Sequence, residues 1–179
     1  MYGSIILSGL PRSGKSTLIS ALVEIFSWPK YGVGDLFRER WAALPEEGKP
    51  PFPEWWKSRP REEQLQVNKD LLELVRREKV IADTRFAKYL DGNGGLTLFL
   101  TAPLNVRAQR AYDLGDYPGK SIDEISKLLD GREKTEFNIG MDLFGFDYRD
   151  PNHYDLVINS SRLSVEQEIE QVKALMRRA

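Results

Sequence analysis

The stretch Gly9-Leu-Pro-Arg-Ser-Gly14-Lys15-Ser16 sets two glycines, a lysine and a hydroxyl at the spacing G-x-x-x-x-G-K-[ST]. That spacing suits one task, holding a polyphosphate. Gly9 and Gly14 allow backbone turns that a Cβ would oppose, so successive N–H groups can point inward as an anion nest. A helix starting near Lys15 adds the positive end of its dipole. Lys15 is long enough to reach the β and γ phosphates, and the Ser16 hydroxyl is placed to ligate Mg²⁺. Arg12, Ser13 and Thr17 lie within or beside the loop and count with Gly9, Gly14, Lys15 and Ser16 as phosphate-binding positions.

Two further residue types join this loop. Asp83 ends the apolar run Lys79 to Asp83, where a second carboxylate can stand near a metal, most simply through water. It can equally cap a turn. Arg38, Arg85, Arg107, Arg110 and Arg132 fall in or just after segments that should border the same edge of a sheet. A lone Arg is usually a solvated surface side chain. Five such positions suit a site where two anions are brought together, because guanidinium forks grip phosphate better than lysine does.

The elements that must position these residues alternate between strand and helix, the pattern of an α/β sheet with crossover connections. Ser4 to Ser8 reads as a buried strand running into Gly9, followed by a helix over about Lys15 to Phe26 with Leu18, Leu22 and Ile25 on its inner face. A short helix is expected around Leu36 to Ala43. Residues 44 to 60 hold five of the ten prolines and the Trp55-Trp56 pair, and read as an irregular surface excursion. A long helix over Arg61 to Arg77, with Leu65, Leu72 and Val75 inward, precedes the strand that ends at Asp83. Thr97 to Thr101 and Asp155 to Asn159 are further strands. A helix over about Asn105 to Leu114 leads into a polar, glycine-bearing stretch reaching about Gly140. Ser164 and Gln167 have capping-box spacing for a last helix.

Composition narrows the chemistry. The 179 residues suit a single domain. There is no cysteine, which excludes disulfides, thiolate metal sites and cysteine nucleophiles, and the one histidine, His153, leaves no His-based zinc site. With 26 Lys and Arg against 27 Asp and Glu, the formal charge of −1 does not suggest a non-specific nucleic-acid binder. No stretch approaches the apolar length that spans a bilayer, and no secretory signal is visible. A cytoplasmic monomer without membrane or nucleic-acid partners is the expectation.

Taken in order, the motifs resemble the nucleoside monophosphate kinases, and most closely the short archaeal-type cytidylate kinases. The segments that carry the resemblance are the P-loop, Gly34-Asp35-Leu36-Phe37-Arg38, Val80 to Arg85, Val106 to Arg110, Arg132-Glu133, Phe144 to Asp147, and Tyr154 to Ser161. The resemblance implies a P-loop NTPase fold with a parallel five-stranded sheet flanked by helices. It also implies phosphoryl transfer from ATP, with Mg²⁺, to a small nucleotide acceptor. It places Arg38 and Arg85 on the acceptor phosphate, with Asp35, Gln64 and Asn68 in the acceptor-binding segment of about 35–77. Lys15, Arg85, Arg110 and Arg132 would act on the transferring group, the last two from the lid side, with the lid over about 115–140. Residues 159–162 would lie beside the donor adenine. No general base is needed, since the acceptor oxygen is already ionised near neutral pH, so a His153 with a surface or capping role is expected.

Three departures bear on the acceptor. Asp83-Thr84-Arg85 stands where these cytidylate kinases commonly have E-G-R. The family's second lid arginine, followed by Tyr, falls here on Ile139-Gly140, so an arginine at 139 is expected to raise turnover unless Lys134 or Arg149 compensates. Gln64 and Asn68 replace acidic residues at base-facing positions, and still offer a donor and an acceptor each. Trp55 and Trp56 could stack on a base, though a hydrophobic cover is the preferred reading. The alternatives to a nucleotide kinase are a P-loop kinase of a non-nucleotide small molecule and a nucleotide-binding regulatory module with little turnover.

Overall fold

The computed structural model describes residues 3–90 and 95–177. Five strands form one parallel sheet in the order β2-β3-β1-β4-β5: β1 Ser4–Gly9, β2 Lys30–Gly32, β3 Ile81–Asp83, β4 Gly95–Thr101 and β5 Leu156–Asn159. The helices are α1 Lys15–Phe26, α2 Val33–Ala42, α3 Phe52–Lys57, α4 Arg61–Arg77, α5 Leu104–Asp113, α6 Ile122–Phe144 and α7 Val165–Met176. No helix among the described residues is long and apolar enough to cross a membrane.

Period-two alternation along β1 divides the core. Ile5 and Leu7 face one side, with Leu18 and Leu22 of α1 and Ile169 and Val172 of α7. Ile6 faces the other, with Leu71 and Val75 of α4, Phe99, Tyr148 and Tyr154. Parallel strands covered on both faces read as continuous apolar runs, which is why β1 and β4 are almost entirely buried.

Several sequence expectations change in detail. Ile25 is 43% exposed, and Leu18, Ile19 and Leu22 form the buried face of α1. In α4 the buried residues are Val67, Asn68, Leu71 and Val75, with Leu65 and Leu72 only half-buried. The second helix begins at Val33, directly after β2. Residues 44 to 60 are more ordered than a surface excursion: α3 inserts Trp55 (5% exposed) against Phe37 and Val67, and Trp56 also packs its ring edge-on to Phe37. The two tryptophans are hydrophobic cover. The polar stretch after α5 is mostly the 23-residue α6, opened by a Ser121–Glu124 capping box and packed through Ile125 and Leu129 on Ala108 and Ala111 of α5.

Candidate functional site

Parallel strands deliver their C-terminal ends to one edge, the usual ligand edge of an open α/β sheet. Here that edge gathers Gly9 (β1), Gly32 (β2), Asp83 (β3), Thr101 (β4) and Asn159 (β5).

The loop after β1 has φ of 155° at Gly9, 62° at Arg12 and 95° at Gly14. Glycine is required at position 9: a Cβ there would lie 2.6 Å from the Leu100 carbonyl oxygen of β4. Gly14 caps α1 in the left-handed conformation, and no side chain among the described residues caps the helix, so the amides of Lys15 and Ser16 can donate to an anion. Ser13 is fully buried, and its Oγ has no hydrogen-bond partner among the described residues. Its carbonyl accepts a 2.6 Å hydrogen bond from Ser160 Oγ. Arg12 pairs with Asp116, at the tip between α5 and α6.

Beside the loop, Lys15 pairs with Asp83, the end residue of β3. Burial, and then the neighbouring Arg85, lower the Lys15 pKa to about 8, against the opposing pull of Asp83 and Glu136. Arg85 donates through one terminal nitrogen to the Gly9 carbonyl. Its Nε forms an ion pair with Glu136 Oε2 of α6 at 3.0 Å. The other Glu136 oxygen accepts from Arg132 Nε at 2.9 Å, and the buried Tyr148 hydroxyl donates to Oε2 at 3.2 Å. Burial first, and the Glu136 charge next, push the Tyr148 phenol well above its usual range. A fully paired carboxylate of this kind is common beside convergent arginines, because bare cations at close range repel.

Two groups flank this centre. On the β2 side, Asp35 bonds Arg38 at 2.8 Å and Lys30 at 2.9 Å. Burial opposes its ionisation, but the bonds from Lys30 and Arg38 hold the carboxyl below the usual range. A Cβ on Gly32 would lie 2.7 Å from Asp35 Oδ2 and 3.4 Å from Asp83 Cβ, so this group abuts Asp83. On the β5 side, Arg110 donates to Ser160 Oγ at 2.9 Å and to its carbonyl at 3.0 Å. Gly14 lies alongside, since a Cβ there would be 3.7 Å from the Arg110 guanidinium.

The structure thus brings together Lys15, Asp83 and Arg85, with Arg110 against the loop and Asp35–Arg38 next to Asp83. It does not bring the other expected residues to the loop directly. Arg132 is 53% exposed and meets the centre only through Glu136. Asn68 is buried at 3% exposure and donates to the Gln64 carbonyl, and its Oδ1 has no hydrogen-bond partner among the described residues. Gln64 donates to the Arg59 carbonyl. Lys134 and Arg149, the side chains named as substitutes for an arginine at 139, are engaged elsewhere, with Asp130 and Asp147 respectively. Ile139 sits in the seam between α4 and α6, and Gly140 packs where a Cβ would meet Phe86 at 3.0 Å. His153 is outside the site, its Nδ1 against the Asp147 carbonyl and its ring edge-on to Phe146.

Arg107 has a different place from the other arginines. It is 3% exposed and ties the loop to α5 and α6: Nε to the Ala102 carbonyl at 2.9 Å, a terminal nitrogen to the Pro11 carbonyl at 3.1 Å, and an ion pair with Glu133. Glu136, Tyr148 and Asp116 have no motif of their own in the sequence. Glu136 could have been found only by laying residues 132 to 136 on a helix, where Arg132 and Glu136 share a face.

Residues 33–162 match the model of the cytidylate kinase-like family. A cytidylate kinase of Pyrococcus horikoshii is 30% identical over 174 residues, 95% of this chain and 86% of that protein. Among solved structures, a shikimate kinase from Bacteroides thetaiotaomicron aligns with a TM-score of 0.62 at 19% identity, over 99% of each chain. A gluconokinase from Sinorhizobium meliloti aligns at 0.60 and 20% identity, over 99% of this chain and 93% of that one. These two likenesses concern the fold.

Proposed function

The chain belongs to the cytidylate kinase-like family of ATP-dependent nucleotide kinases, and from that membership we propose that it transfers the terminal phosphoryl group of ATP to a nucleoside monophosphate of the cytidylate type, ribo or deoxy. The observation that supports this reading most is the convergence of Lys15, Asp83 and Arg85 on the mouth of the loop. These groups align and neutralise phosphates, and a phosphate acceptor needs no proton removed.

The roles follow from position. Main-chain N–H groups of Arg12, Gly14, Lys15 and Ser16 cradle the donor phosphates, and Ser13 Oγ adds a spare donor. Lys15 exchanges Asp83 for the β and γ oxygens. Arg38 and Arg85, one on each side of Asp83, grip the acceptor phosphate. Arg110 and Arg132 approach from α5 and α6, and residues 159–162 flank the donor base. The segment 35–77 is then the acceptor arm, and 115–140, in large part α6, the lid of a single domain.

Mg²⁺ fits these residues. Ser16 is exposed at the start of α1, and Asp83 shares one oxygen with Lys15 and has a second to spare. No group of three or more His, Cys, Asp or Glu among the described residues forms a cage by itself. A hard cation bound by one or two protein groups, phosphate oxygens and water matches such a sparse set. Held by Ser16 and Asp83, such an ion would supply positive charge to offset the charge of the phosphates.

Phosphorus NMR of the protein with ATP and cytidine monophosphate tests the reaction itself. Equal growth of ADP and cytidine diphosphate signals is expected. Free inorganic phosphate in place of the diphosphate would indicate slow hydrolysis by a binding module. The fold's likeness to shikimate kinase and gluconokinase favours one second reading, a kinase of a small polyhydroxy acid.

A further inference from the structure

A cavity of about 270 Å³ opens between α4 and α6, lined by Arg61 and Gln64 from α4 and by Asn138, Ile139, Asp142 and Leu143 from α6. We propose that this cleft takes the ring end of the acceptor, and that Ile139 and Leu143 are the wall that selects it. The inference rests on the nucleotide-kinase reading above and specifies where that acceptor lies.

The register of α6 leads from the phosphate centre to the cleft. Glu136, Ile139 and Leu143 are spaced by three and four residues, so they share one face of the helix. Glu136 holds Arg85 beside the loop. At 1.5 Å per residue, Ile139 lies about 4.5 Å further along the axis and Leu143 about 10 Å. A phosphate at Arg85 therefore leaves the rest of its molecule running along α6 into the cleft.

Size and chemistry decide what fits there. The volume lies just under the range of roughly 300–1,000 Å³ for pockets that hold a whole small ligand. It suits one ring with the phosphate outside it. Ile139 packs with the hydrophobic group around Phe86 and Phe144, so its side of the cleft is apolar. Opposite, Gln64 commits its amide nitrogen to Arg59 and keeps Oε1 to accept from a ring-edge N–H. A flat heteroaromatic ring can lay a face on Ile139 and Leu143 and turn an edge to Gln64. Arg61 and Asp142 pair at 2.9 Å with side chains 48% and 70% exposed. Such an exposed pair is weak and can part to admit a ligand.

The proposal reverses the expectation from the family resemblance at position 139. An arginine there would crowd the cleft and stand near Arg61, weakening acceptor binding. The test is steady-state kinetics of wild type, Ile139→Arg and Leu143→Trp with cytidine and uridine monophosphates. Calorimetric titration of ATP and of cytidine monophosphate accompanies it, and circular-dichroism melting reports folding. Both variants should raise acceptor KM roughly tenfold or more, the scale on which one ill-fitting group acts in a pocket, while ATP affinity stays within about twofold. Unchanged acceptor KM in two folded variants, or a higher kcat in Ile139→Arg at unchanged KM, overturns the proposal. Wild-type turnover is read separately and decides the kinase reading. If no monophosphate is turned over, the cleft is still judged by whether cytidine monophosphate binds wild type and not the variants, and absence of binding to wild type overturns it.

Discussion

Lys15 carries a proton less firmly than an ordinary lysine. Its pKa falls from 10.5 to about 8 because burial, then Arg85, disfavour its charge more than Asp83 and Glu136 favour it. Between those two values the unfolded chain holds a proton that the folded chain does not, so this group's contribution to stability rises with pH across the window. Below about 8 its full electrostatic handicap is present. A polyphosphate beside Lys15 restores the proton. ATP binding about one pH unit above that lowered pKa should therefore take up most of one proton per site. Calorimetry in buffers of different ionisation enthalpy measures that uptake, and Lys15→Ala should abolish it while lowering turnover by roughly 10²–10³-fold. Arg38→Ala should leave ATP affinity intact and weaken the acceptor by roughly tenfold or more, the equivalent of a lost charge-assisted bond of about 1.5–3 kcal/mol. Arg107 serves stability instead. Arg107→Met strands Glu133, whose side chain is only 15% exposed, and should cost about 3–5 kcal/mol in denaturant unfolding.

At the scale of elements, α6 reaches the sheet edge through two carboxylates, Glu133 on Arg107 and Glu136 on Arg85. Glu136→Ala would leave Arg85 and Arg132 without their shared partner. Amide hydrogen exchange should then speed up in the C-terminal half of α6 and stay unchanged in β1 and α1. The strands that hold the site were legible in the sequence because buried parallel strands are continuous apolar runs, as in Ser4–Gly9 and Gly95–Thr101. β2 was not. Lys30–Gly32 is three residues long, sits at the sheet edge, and buries only Gly32. α6 escaped because its polar residues and Gly131 and Gly140 obscure the helical period, although Ser121 and Glu124 stand at capping-box spacing. The P-loop, Arg85 and Arg110 could be placed from motif and strand ends alone. Glu136 and the Ile139 cleft could not, since both depend on how α6 lies across the ends of β3 and α4.

Over the whole molecule the formal charge is −1, and at the site edge too each cation is balanced by a carboxylate. Lys15, Arg12, Arg38 and Arg85 stand around one loop, each held by a carboxylate: Asp83, Asp116, Asp35 and Glu136. Local pairing keeps these cations in position, and phosphates compete for them with charge-assisted bonds of the same kind. The fold is shared with a shikimate kinase and a gluconokinase, so it does not choose the substrate. The most direct measurement is coupled ADP release, with Mg-ATP, across cytidine, deoxycytidine, uridine, adenosine and guanosine monophosphates, shikimate and gluconate. A pyrimidine monophosphate should give the highest kcat/KM, with activity lost in Lys15→Ala. ADP release driven by shikimate or gluconate, and by no nucleoside monophosphate, would contradict the account.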